Sequence, residues 1–327
     1  MNLTPPFDPS TSSGHRKLRA PRPICSVDDF VPVTNFLYGR QLWQPLRPYW
    51  NTGQARLALY LTMFEGRKSN HQLWKDDTGQ IQAYMYLSEK TPIYSTPEVR
   101  EWRLLLHPEQ RTNPLISGLI EHAEARLEAR LSGDPIRTVA YDSDRAWTAL
   151  LQHHGYVKQH ALEVYMTRSL TDPIPLPVVP DGFMVRAFAG QHELLSRAKL
   201  TDSAFGGSEG PSDRAINEVN NMIRFCQAIQ AIDFIATTPD GLIVSSSIAS
   251  CDPVTKLGEF DPVGTHRLYW QRGLAKALLL TGLHWMRGAG MQRAVIRTNV
   301  DNIAAQRAYQ SVGYQIVDRL FLYEKQS

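Results

Sequence analysis

Cysteine is scarce: Cys25, Cys226 and Cys251 are odd in number, far apart and without a Cys-x-x-Cys pair. That pattern excludes a disulfide framework and a structural zinc site, so no metal is expected. Apolar runs of transmembrane length are also missing, and residues 1–6 are polar. Neither a membrane span nor a secretory leader is read, and the expected location is cytoplasmic. An excess of one charge is absent as well, because 35 basic and 32 acidic residues leave a formal net charge of only +3. Scattered basic residues make no stripe for nucleic acid or acidic lipid, so no nucleic-acid and no membrane partner is expected. What the chain does have is 43% hydrophobic residues over 327 positions, enough for a folded protein of two domains.

Two segments lack hydrophobic periodicity. Residues 1–25 are rich in Pro, Ser and Thr and read as a flexible tail. Residues 171–182 hold Pro173, Pro175, Pro177 and Pro180, which remove backbone donors and forbid a helix or central strand, so they read as a linker. The expected domains are therefore 26–170 and 183–327. These halves repeat one another. Each has a strand, a turn with glycine and a second strand, centred on Gly79 and Gly241, 162 residues apart. Each has a strand ending in histidine, His107 and His266, 159 apart, and each closes a helix with Gly-Tyr before a last strand, Gly155 and Gly313 being 158 apart. In the second half a helix is expected from about 274 to 287 on the stripe Leu278, Leu279, Leu283 and Met286. A strand over 293–298 and a helix opened by Asp301 and Asn302 follow, giving a mixed α/β fold.

The chemistry concentrates between 259 and 314. Gly273 and Ala275 at the mouth of a helix leave backbone N–H groups able to cradle a pyrophosphate at the positive end of the helix dipole, with Arg272 and Lys276 adding charge. Taken alone, an ordinary loop entering a helix reads the same way. It is joined, in order, by the stretch from Thr298 through Asn302 and Tyr309 to Gly313 and Tyr314.

Together the two stretches resemble the acyl-CoA site of the GNAT acetyltransferase superfamily, and in particular a tandem-domain branch with a Pro-Val-Gly-Thr-His strand before the loop. The resemblance implies two tandem folds, each a twisted mixed β-sheet flanked by helices, with acetyl-CoA as acyl donor. It implies that Val263, Gly264 and Thr265 pair with pantetheine through their backbone. Gln271, Arg272, Gly273, Leu274, Ala275 and Lys276 would surround the pyrophosphate, and Asn302 and Ala305 would support the cofactor arm. One departure stands out: the family has Arg or Gln at the first loop position, where this chain has Trp270. Implied too is acetyl transfer to an amine of a small molecule or peptide by direct attack in a ternary complex, with a homodimer compatible.

Such transfer needs an acid for the departing thiolate and a base for the amine. Tyr309 stands at the family's acid position, since a phenol near pKa 10 can protonate a thiolate whose conjugate acid is near 8.5. Glu259 and Asp261 are candidate bases which, on one regular strand, would share a face; His266 is a weaker candidate. Aligning the Gly-Tyr endings puts Leu151 opposite Tyr309, and aligning the histidines puts Trp102 opposite Asp261, so the first half reads as a degenerate copy. Trp43, Trp50, Trp74, Trp102 and Trp147 are expected in its core. Asp202, Glu209, Asp213 and Glu218 could attract a cationic acceptor. The competing reading is a catalytically silent acyl-CoA-binding or interaction protein.

Overall fold

The structure, a computed structural model, describes residues 18–24, 29, 32, 33, 36, 71–88, 101–107, 115–128, 135–206, 210–253 and 255–326. Trp43, Trp50, Glu209 and the loop after His107 lie outside them. The chain forms two compact units, residues 1–162 with 320–327 and residues 163–319.

The first unit contains β1 (Arg22–Pro23), β2 (His71–Lys75), β3 (Ile81–Ser88), β4 (Glu101–Leu106), α1 (Leu115–Glu128), β5 (Ile136–Tyr141) and α2 (Arg145–His153). β1 to β4 are antiparallel neighbours and β5 meets β4 in parallel. The expected tail is thus corrected at its end: Arg22 and Pro23 pair with Leu73 and Gln72, and Ile24 is fully buried. Proline is tolerated there because this strand lies at a sheet edge. Trp74 and Trp102 are buried in the core with Leu151, and Trp147 packs against it half-exposed.

Buried His71 places Nδ1 2.6 Å from the Tyr84 hydroxyl, and burial lowers its pKa to about 3. Unfolded, it would take up a proton near pH 6.5; folded, it stays neutral. Its contribution to stability is therefore complete above 6.5 and is lost as pH falls toward 3, by about 1.4 kcal/mol per pH unit. Urea midpoints between pH 7 and 4 should fall steeply, and His71→Gln should flatten that slope; an unchanged slope contradicts this assignment.

The second unit contains residues 163–169 of β6 (Val157–Ser169), then β7 (Met184–Ala187), α3 (Leu194–Thr201), a π-helical turn (Asp202–Gly206), α4 (Asp213–Ala228), β8 (Ala231–Thr237) and β9 (Ile243–Asp252). β10 (Leu257–Thr265), α5 (Leu274–Gly288), β11 (Arg293–Asn299) and α6 (Ile303–Gln310) follow. Its sheet runs β6-β11-β10-β9-β8-β7, parallel only between β10 and β11. The last strand, β12 (Gln315–Lys325), sends Leu320 to Lys325 back to pair with β5.

The two units thus divide within β6 and within β12, rather than at the proline segment. β6 was placed with the first half, yet Val164 and Met166 are buried in the second core. The proline segment belongs there too. It forms no helix or strand, but it buries Ile174, and the Pro173 carbonyl accepts from Arg168 Nη2 at 2.8 Å.

α5 buries Leu274, Leu278, Leu279, Leu283 and Met286 on the sheet, roughly 1.5–3 kcal/mol for each large side chain. Close approach depends on Gly282, where a Cβ would strike the Phe260 ring. Gly282→Ala should cost about 1–3 kcal/mol by overpacking, read as a lower Tm; an unchanged Tm would show that α5 and β10 have slack. Among the described residues, no helix is long and apolar enough to cross a membrane, and no group of three or more His, Cys, Asp or Glu is placed to hold a metal.

Candidate functional site

β10 is parallel to β11 for only three residues, from Leu257↔Arg293 to Glu259↔Val295. Both strands continue, β10 to Thr265 and β11 to Asn299, without further pairing. The parting begins where the β9–β10 register shifts between Phe260 and Val263. Pro262 lies in that shift and has no N–H to give a ladder. Beyond it β10 stays paired with β9 through Val263, Gly264 and Thr265. The His266 N–H donates to the Val244 carbonyl at 2.9 Å, and antiparallel alternation then turns the Val263 and Thr265 backbone groups toward the open side. The Thr265 carbonyl is taken there by the Trp270 indole N–H at 2.8 Å. Val263 and the Thr265 N–H are the groups on that edge able to meet an amide-bearing arm.

The next element is the mouth of α5. Gln271 has φ 61° and Gly273, its N-cap, φ 82°. No side chain caps the helix, and the Ala277 N–H makes the bond to the Gly273 carbonyl at 3.0 Å. The N–H groups of Leu274, Ala275 and Lys276 therefore precede the helical ladder, at the positive end of a 15-residue helix. The Leu274 side chain is buried, so only its N–H can serve this mouth. Arg272 lies with Cζ 5.2 Å from the Tyr269 ring centre. The arrangement suits a pyrophosphate: a left-handed residue leading into an uncapped helix converges N–H groups on one anion.

Asn302 is the N-cap of α6, its Oδ1 accepting from the Ala305 N–H at 3.1 Å. That bond occupies the Ala305 amide, so Ala305 can offer an arm only its small side chain. One turn on, Tyr309 is 6% exposed within the main core, its ring 6.3 Å from that of Tyr314. Burial pushes the Tyr314 phenol well above the ordinary tyrosine range, with Tyr309 acting in the same direction.

Of the two carboxylates, Glu259 is 7% exposed and Asp261 half-buried. The bulge after Phe260 interrupts the regular alternation on which a shared face for the two would rest. The bridges add a second match between the halves. The parallel bridges Glu101↔Arg137 and Glu259↔Val295 are both 158 positions apart, as are the caps Asp144 and Asn302. Glu101 thus stands at the place of Glu259. It is ion-paired with Arg103, and buried Leu151 stands where the second unit has Tyr309.

The acidic stretch is partly committed. Asp202 is buried and accepts from the Ser212 N–H and hydroxyl, at 2.6 and 2.9 Å, and from Arg214. Glu218 is ion-paired with the same arginine, while Asp213 is exposed in the first turn of α4. His266 turns Nδ1 to the Leu268 N–H at 3.2 Å, a loop contact. Sequence reasoning missed the Trp270 clamp and the bond between the Ser245 and Thr265 hydroxyls at 2.7 Å. Neither gives a periodic signal.

The chain is similar to known acetyltransferases. Residues 237–314 match the model of the Acetyltransferase (GNAT) family. A mycothiol acetyltransferase of Nocardioides sp. is 29% identical over 240 residues, covering 66% of this chain and 76% of the relative. Among solved structures, a GCN5-related N-acetyltransferase from Sphaerobacter thermophilus superposes with TM-score 0.60 at 19% identity, covering 94% of this chain and 95% of that one. A tandem GNAT protein from the clavulanic acid biosynthesis pathway gives 0.65 at 14% identity, covering 95% and 98%.

Proposed function

We propose that this chain, whose residues 237–314 match the GNAT acetyltransferase family model, transfers acetyl from acetyl-CoA to an amine of a small molecule. The carrying observation is the parting of β10 and β11 at Glu259, beside an uncapped helix mouth and a helix bearing Tyr309. Acetyl-CoA supplies the activated thioester. The N–H groups of Leu274, Ala275 and Lys276 hold its pyrophosphate, and Val263 pairs with its arm. A backbone N–H near Val263 polarises the thioester carbonyl. Glu259 or Asp261 takes the amine proton, directly or through water, and Tyr309 returns a proton to the thiolate.

The name of the Nocardioides relative makes mycothiol-related amines the first acceptors to try. With acetyl-CoA and a panel of such amines, other small amines and peptides, the full chain should release free thiol and give a product heavier by one acetyl group. Acetyl-CoA binding without turnover on any amine would favour the silent acyl-CoA-binding reading instead.

A further inference from the structure

Trp270 is 62% exposed, although an indole brings a large apolar surface that cores usually take in. Its orientation is nevertheless fixed. The indole N–H donates to the Thr265 carbonyl at 2.8 Å, tying the ring's edge to the end of β10 and leaving its surface open to solvent. The neighbouring cation does not cover it, because Arg272 lies over Tyr269. Tyr269 is in turn packed edge-on against His266 and Phe183, at 5.6 and 6.0 Å between ring centres. Leu268, two residues away, is 71% exposed.

The place of this ring in the loop narrows what it can meet. Residues 271–276 form the anion-binding mouth, and Val263 lies on the open edge that leads away from it. A pyrophosphate at the mouth has the arm of the donor on one side and its nucleotide on the other. The indole edge closes the open strand at Thr265, so the ring stands at the loop end of the arm rather than along it. We infer that Trp270 is a donor-binding residue whose exposed indole stacks on the adenine base of the acyl-CoA. This rests on the acetyl-CoA reading above. The loop thereby replaces the Arg or Gln usual at its first position with an aromatic platform held in place by its own N–H. An adenine matches such a platform because a flat π-system stacks on it without charge.

The test titrates the full chain with CoA, dephospho-CoA and 4′-phosphopantetheine, the last keeping the arm and one phosphate and lacking the adenylyl group. Trp270→Ala should weaken CoA and dephospho-CoA by roughly tenfold or more while moving 4′-phosphopantetheine by less than about twofold. Equal weakening of 4′-phosphopantetheine would show that the indole acts through the loop and overturn base stacking. Unchanged affinity for all three ligands would overturn it too. A wild-type chain that binds none of them contradicts the acetyl-CoA reading itself, and this inference falls with it.

Discussion

Tyr309→Phe should lower kcat by roughly two to four orders of magnitude, the span general acid catalysis contributes, with little change in acetyl-CoA affinity. The ring lies in the core with Val312 and Tyr314, and phenylalanine keeps that packing, so loss of fold is not the expected cause. What disappears is the proton for a thiolate whose conjugate acid has a pKa near 8.5. The loss should shrink with a donor whose thiol is more acidic, because a better leaving group needs less help. Stopped-flow thiol release with paired thioesters checks both statements. A Tyr309→Phe enzyme with wild-type kcat would reduce Tyr309 to a packing residue and move the acid elsewhere.

Asp233→Ala should cost about 3–5 kcal/mol of stability by leaving a charge buried without its partner. Arg197 on α3 is fully buried; its Nε donates to Asp233 Oδ2 on β8 at 2.8 Å and its Nη1 to the Thr201 hydroxyl at 2.8 Å. Burial raises the Asp233 pKa and Arg197 opposes that rise, so each charge is tolerated because of the other. The loss would take a large share of the roughly 5–15 kcal/mol that holds a typical domain. Replacing both residues together, Arg197→Met with Asp233→Leu, should recover much of it. Function should suffer with stability, because α3 leads into the π-helical turn whose Phe205 rests on Gly264 of β10, where a Cβ would lie 2.6 Å from the ring. Denaturant midpoints decide the point; a single variant within about 1 kcal/mol of wild type would mean that water reaches the guanidinium.

Much of the second unit was legible from local signals. Asp240-Gly241 announced the β8–β9 turn, the leucine stripe announced α5, and Asn302 announced the start of α6. Two things were not legible, for a shared reason. Strand neighbours are set by tertiary pairing, so nothing in 157–169 or 315–325 showed that β6 would pair with β11 and β12 with β5. The bulge at Pro262 likewise depends on what lies beside β10, and the match of Glu101 with Glu259 emerges only from the bridges that the two strands make. Proline was the available clue. Trp270 was visible as a departure from a family pattern, but its hydrogen bond to Thr265 required coordinates.

The central claim is that two similar units carry one set of chemistry, in the second. Glu101 is held by Arg103 and Leu151 stands in place of Tyr309, while the second unit has Gly273, Glu259 and Tyr309. Calorimetric titration of the full chain with acetyl-CoA tests this most directly. One site per chain is predicted, removed by Gly273→Val, since valine does not adopt the left-handed backbone that Gly273 has at φ 82°. Two sites per chain, or one that survives Gly273→Val in a folded protein, would contradict it.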